Sequence, residues 1–164
     1  MLWALLTLCA GLQAPPQAEL DLPGVLARAP IVVLARVADP RMDVQDLPAL
    51  HARQPYQRMR RHLDVLTTFR GHVPAHLRVD EPHWAARYAA WQQCRAPESC
   101  PQLVGDRYRG QLAREPNPGA QVLVFLRRNA KGELELAADF ALDRGERAAE
   151  VQALLQAKHA RGQR

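Results

Sequence analysis

The stretch that most constrains the fold is Met59–Phe69. Leu63, Val65, Thr67 and Phe69 fall on one side of it, and His62, Asp64, Leu66 and Thr68 on the other. Successive side chains of a strand point to opposite faces, so period two over this length predicts a half-buried strand. Arg70-Gly71 closes it, and His76–Val79 follows Pro74 as a short partner with Leu77 and Val79 pointing the same way. Ile31–Val37 is a β-branched run of strand length, and Ala120–Leu126 is apolar throughout, as a central strand would be. Asn129–Gly132 reads as a hairpin turn, with Gly132 supplying the positive φ. Glu133–Leu142 then returns as the partner strand.

Helical periods fall elsewhere. Asp21–Ala29 predicts a short helix ended by Pro30. Asp39–Tyr56 contains Pro40, Pro48 and Pro55 and reads as a long loop. Glu81-Pro82 is a helix start, with Glu81 as the acidic cap. Trp84, Arg87, Tyr88 and Trp91 follow at i, i+3, i+4 and i+7, in one helix running to about Cys94. Arg95–Gly119 is a polar loop. Gly145–His159 is helical, with Ala148, Val151, Leu154 and Leu155 along one stripe. Five strands with a helix between the third and fourth is the recipe of an OB-like barrel, placed at about residues 30–143. The length of 164 residues fits one domain, residues 19–164, behind a leader. With 48% apolar and 24% charged residues, a disordered or collagen-like chain is excluded.

Met1–Ala18 has an apolar core from Leu2 to Leu12 and no charge before Glu19. This composition predicts a secretory signal cleaved after Ala18, and hence a periplasmic or secreted protein. Lipid anchoring through Cys9 is disfavoured, because Leu8 stands where a small residue is needed. No run reaches the roughly 18 apolar residues of a membrane span. Cys94 and Cys100 remain after the leader. In an oxidising compartment their short spacing predicts a disulfide. Zinc is the weaker alternative, since five intervening residues exceed the usual ligand spacing.

The motifs resemble the netrin-like, or tissue-inhibitor-of-metalloproteinase-like (TIMP-like), domains of uncharacterised exported bacterial proteins. The pieces that carry the resemblance are Val32–Val37, His62–Gly71 with His76–Val79, a cysteine-bearing loop, and Pro118–Leu126 with its hairpin. The resemblance implies an OB-like barrel and an exported location, and it implies no enzyme. The animal inhibitors chelate the protease zinc through a Cys-x-Cys at the mature N-terminus. The expected start near Glu19 has no cysteine, so that mechanism is not carried over.

No catalytic, cofactor or metal site is expected. Nucleophile motifs and glycine-rich phosphate loops are absent, and Pro74 between His72 and His76 argues against helical zinc-ligand geometry. The candidate partner surface is Trp84, Arg87, Tyr88, Trp91 and Arg95, because aromatics and arginine dominate interface hot spots. The alternative is that this stripe packs the helix over an end of the barrel. A net charge of +5 is carried by arginine far more than lysine. Export argues against a nucleic-acid partner, leaving an unidentified protein or an anionic envelope polymer. The function expected is an exported, non-catalytic binding module. The alternatives are a protease inhibitor acting by loop insertion and an envelope enzyme.

Overall fold

The structure, a computed structural model, describes residues 20–50, 54–94, 117–138 and 142–162. Among the described residues ten elements follow one another. They are α1 (Leu22–Arg28), β1 (Ile31–Leu47), β2 (Tyr56–Arg70), β3 (His76–Asp80), α2 (Trp84–Gln93), β4 (Gln121–Arg128), β5 (Leu134–Leu136), β6 (Leu142–Arg144), a single 3-10 turn (Gly145–Arg147) and α3 (Ala148–Gly162). The fold is mainly β.

Five strands form a ring. β1 pairs with β2, β2 with β3, β3 with β5, β5 with β4, and β4 returns to β1. Every pairing is antiparallel except β3–β5. The ring depends on the length of β1. Its first part, Ile31–Arg36, lies between β4 and β2, and its remainder follows β2 alone. Three register shifts interrupt the β1–β2 pairing, and the one between Val37 and Met42 lies where β1 passes from the first duty to the second.

The core follows from the apolar runs. Val122–Leu126 of β4 are all buried, because β4 is covered on both faces, and this explains why the run does not alternate. Val32, Val33 and Ala35 of β1, Leu63 of β2, Leu77 and Val79 of β3 and Leu136 of β5 join it. α1 adds Leu22, Val25 and Leu26, and α3 adds Val151 and Leu155. Asp21 caps α1 by accepting a hydrogen bond from Gly24 N at 3.2 Å. Arg70 Nη1 satisfies the other end, donating to Leu26 O at 2.8 Å and Ala29 O at 3.0 Å.

Four expectations are corrected. Residues 39–56 are not a single long loop: β1 continues to Leu47 and β2 begins at Tyr56. Pro40 is tolerated because it falls within the register shift between Val37 and Met42, where no ladder bond is lost. The alternation in β2 buries Leu63 but leaves Val65 and Phe69 half-buried and Thr67 exposed, because β3 pairing stops at Asp64. The expected strand Glu133–Leu142 is two short strands. Their register against β4 slips by four residues between β5 and β6. The C-terminal helix opens with a 3-10 turn at Gly145, becomes α-helical at Ala148 and extends to Gly162.

Candidate functional site

α2 begins at Trp84, and Glu81 does not cap it. The residue before the helix is His83, held at φ 57° with no side-chain cap bond. Glu81 instead turns inward and is 1% exposed. Its carboxylate accepts a hydrogen bond from Tyr56 Oη and one from Arg87 Nη1 at 3.5 Å. Burial pushes the Glu81 carboxyl above its ordinary range, against the opposing pull of Tyr56, Arg87 and Arg61.

The aromatic stripe is turned inward as well. Trp84 and Trp91 are 6% and 7% exposed. Trp91 Nε1 donates to Gln54 O at 3.3 Å, and Tyr88 Oη donates to Pro48 O at 2.9 Å. The Tyr88 ring lies 5.6 Å from that of Tyr56. These bonds tie α2 to the β1–β2 connection. The two tryptophans are therefore packing residues in the free chain, while Arg87 and Tyr88 are half-buried. Arg95 lies outside the described residues. So does Cys100, while Cys94 is buried at the end of α2.

A chain beginning at Glu19 would retain only Trp84 and Trp91 as fluorophores of this type. Its native emission is expected to be blue-shifted and weakly quenched by acrylamide, rising to free-tryptophan quenching only on unfolding. Full quenching of the native chain would place the stripe in solvent.

The densest chemistry sits where the ring closes. β3 and β5 are joined at one register pair, Asp80 with Glu135. Both carboxylates are buried, at 2% and 3% exposure. Like charges side by side at a strand pair destabilise it. Each is matched from the neighbouring strand. Arg58 of β2 donates from Nε to Asp80 Oδ1 at 2.6 Å and from Nη2 to Asp80 Oδ2 at 2.7 Å. Arg127 of β4 donates from Nε to Glu135 Oε1 at 2.7 Å. Arg58 Nη2 also reaches Glu133 Oε1 at 3.1 Å, spanning from β2 to the turn before β5.

α2 completes the cluster. The Arg58 guanidinium lies 3.5 Å from the centre of the Trp84 ring, a cation–π contact. Trp84 Nε1 donates to Glu133 Oε2 at 3.2 Å. His83 N donates to Glu135 Oε2 at 3.1 Å, and His83 Nε2 accepts from Arg127 Nη2 at 2.7 Å. Burial opposes the charge on Arg58, but its bonds to Asp80 and Glu133 outweigh that, and its pKa lies above the ordinary arginine value. Asn129 Nδ2, with Arg58 and Trp84, holds the Glu133 carboxyl below its ordinary range.

Four arginines (Arg58, Arg61, Arg87, Arg127) thus meet four carboxylates (Asp80, Glu81, Glu133, Glu135). The arginines and carboxylates are equal in number and are engaged with one another. What it does chemically is clamp the seam of the ring. The sequence displayed its parts without its pairing: Asp80-Glu81 as adjacent carboxylates, Arg58 and Arg127 within arginine groups, and Glu133 and Glu135 alternating with apolar residues. The register joins them.

Glu81 gives this cluster a pH signature. A carboxyl whose folded pKa is raised contributes stability that is present below its ordinary value of 4.5 and is lost as pH rises through the folded value. Glu81→Gln removes that loss while keeping an acceptor for Tyr56. Urea denaturation should therefore show the variant gaining on the parent as pH rises from below 4.5 to neutrality. A gap independent of pH would mean that Glu81 ionises freely in the folded chain.

Among the described residues, no group of three or more His, Cys, Asp or Glu is placed to hold a metal. His62 pairs with Asp43 at 2.6 Å and His76 with Asp64 at 2.6 Å, each a strand-to-strand contact. An open groove of about 550 Å³ lies between the end of β2 and α3, lined by Thr67, Thr68, Phe69, Gln152, Leu155 and Gln156. Among these described lining residues none is charged. No helix among the described residues is long and apolar enough to cross a membrane. The chain matches no family model, no curated protein and no solved structure.

Proposed function

We propose that the chain is an exported, non-catalytic binding module on an OB-like scaffold of the netrin/TIMP-like kind. The observation that carries this reading is the strand order. β1-β2-β3-β5-β4 returns to β1, β3 and β5 are parallel, and a helix separates β3 from β4. OB-type scaffolds hold extended partners on the β2–β3 face and its flanking loops. Here that region exposes Arg78, with Arg36 on the neighbouring strand, while His76 beside them is bonded to Asp64. This basic character suits an acidic protein or an anionic envelope polymer. The leader-like Met1–Ala18 supports export, and export supports a Cys94–Cys100 disulfide. One observation favours a second reading, protease inhibition by loop insertion: Leu50, in the β1–β2 connection, is 71% exposed.

A photo-crosslinking residue at Arg78 tests the module, with one at Lys158 on the exposed face of α3 as control. Capture of one envelope component from Arg78 and none from Lys158 is the expected result. Retention of the protein in the cytoplasm, or equal labelling from both positions, contradicts the reading.

A further inference from the structure

β1 outruns its ring. The last bonds on its β4 side are those of Val37, whose N donates to Ala120 O at 2.9 Å and whose O accepts from Gly119 N at 2.8 Å. The strand continues to Leu47 with β2 along one edge. Among the described residues, the other edge of Met42–Leu47 faces no strand. Such an edge offers backbone N–H and C=O groups to another extended chain. In its middle stands Val44, a large apolar residue 56% exposed.

The sequence of this edge fits its own copy. Pro40 and Pro48 stand at equal distances on either side of Val44. Two identical antiparallel strands related by a two-fold axis place one residue opposite itself. With Val44 at the axis, Asp43 meets Gln45, Met42 meets Asp46 and Arg41 meets Leu47. Each proline then falls opposite the partner's proline, outside the paired span. No like charges stand directly opposite, and no missing N–H interrupts the ladder. Moving the axis to Asp43 sets two carboxylates against each other, and moving it to Gln45 brings Pro48 opposite Met42. Asp43 is already held by His62 on its own chain, which lowers its cost at the join. We propose that two copies of this chain pair antiparallel along Met42–Leu47, centred on Val44. One strand pair buries little surface, so the association is weak and reversible.

Sedimentation velocity over a concentration series, with hydrogen exchange of the same samples, tests this. The parent chain should pass from monomer to dimer with rising concentration, and edge amides within 42–47 should gain protection as it does. Val44→Asp and Val44→Lys should each stay monomeric with an unchanged near-ultraviolet spectrum. An equal mixture of the two should dimerise, because the introduced carboxylate of one chain then faces the introduced ammonium of the other across the axis. A parent monomeric up to millimolar concentration overturns the proposal. So does Val44→Asp dimerising like the parent, or full protection of the 42–47 amides in dilute monomer, which would mean the chain covers its own edge.

Discussion

Arg58→Ala should destabilise the fold by about 3–5 kcal/mol, the usual result of removing one partner of a buried ion pair. That is a large share of the roughly 5–15 kcal/mol that holds a domain together. Three things fail at once. Asp80 is left buried without its bidentate partner, Glu133 loses its link to β2, and the Trp84 ring loses the cation stacked on it. Asp80 would then stand uncompensated beside Glu135 at the one register pair joining β3 to β5. Urea denaturation reads the loss. The double variant Arg58→Met/Asp80→Leu distinguishes mechanism from mere side-chain size. With no charge left buried at that position, it should be more stable than Arg58→Ala. If the double variant is worse, the arginine serves the fold chiefly by packing.

Gly71→Ala carries the second large effect. Gly71 joins β2 to β3 at φ +79°, where an added Cβ would lie 2.8 Å from Ile31 Cγ1 and 3.0 Å from Pro30 O. The left-handed conformation costs a non-glycine residue about 1–2 kcal/mol. Pressing against the start of β1 adds about 1–3 kcal/mol of overpacking. The expected loss is about 2–5 kcal/mol on those two terms. Gly132 provides an internal control. It sits at φ +80° in the β4–β5 turn with open space around its Cα. Gly132→Ala should cost only the conformational part. Equal losses at the two glycines would show that Ile31 and Pro30 give way freely.

These two sites also show what was legible in the chain. Strands were readable wherever burial imposed a period or a continuous run, as in Leu63, Leu77–Val79 and Val122–Leu126. Gly71 and Gly132 were readable as turns because few other residues accept a positive φ. The outer half of β1 was not, since Pro40 and its scattered charges carry loop chemistry, and only pairing to β2 holds them extended. The break between β5 and β6 was hidden for a related reason: a register slip leaves the apolar pattern on each side intact.

The candidate site was legible as residue types and illegible as a site. A tryptophan stripe at helical spacing has the same sequence signature whether it faces solvent or protein. Here Trp91 and Tyr88 turn toward the β1–β2 connection, and Trp84 turns onto Arg58. Glu81 before Pro82 carries a strong capping signal. It lost to the stronger demand of Tyr56 and Arg87 for a buried carboxylate, and the helix began at Trp84 without it. The clamp at the seam required knowing that Asp80 meets Glu135, which is a long-range fact of the ring.

The clamp depends on the sheet closing between β3 and β5. The direct measurement is a nuclear Overhauser spectrum of the labelled chain, comparing contacts across that seam with contacts across β1–β4. Backbone contacts are expected between Asp80 and Glu135 as well as between Leu34 and Leu123. Contacts at Leu34–Leu123 with none at Asp80–Glu135 would mean an open sheet, and the arginine clamp and the OB-like reading would fall together.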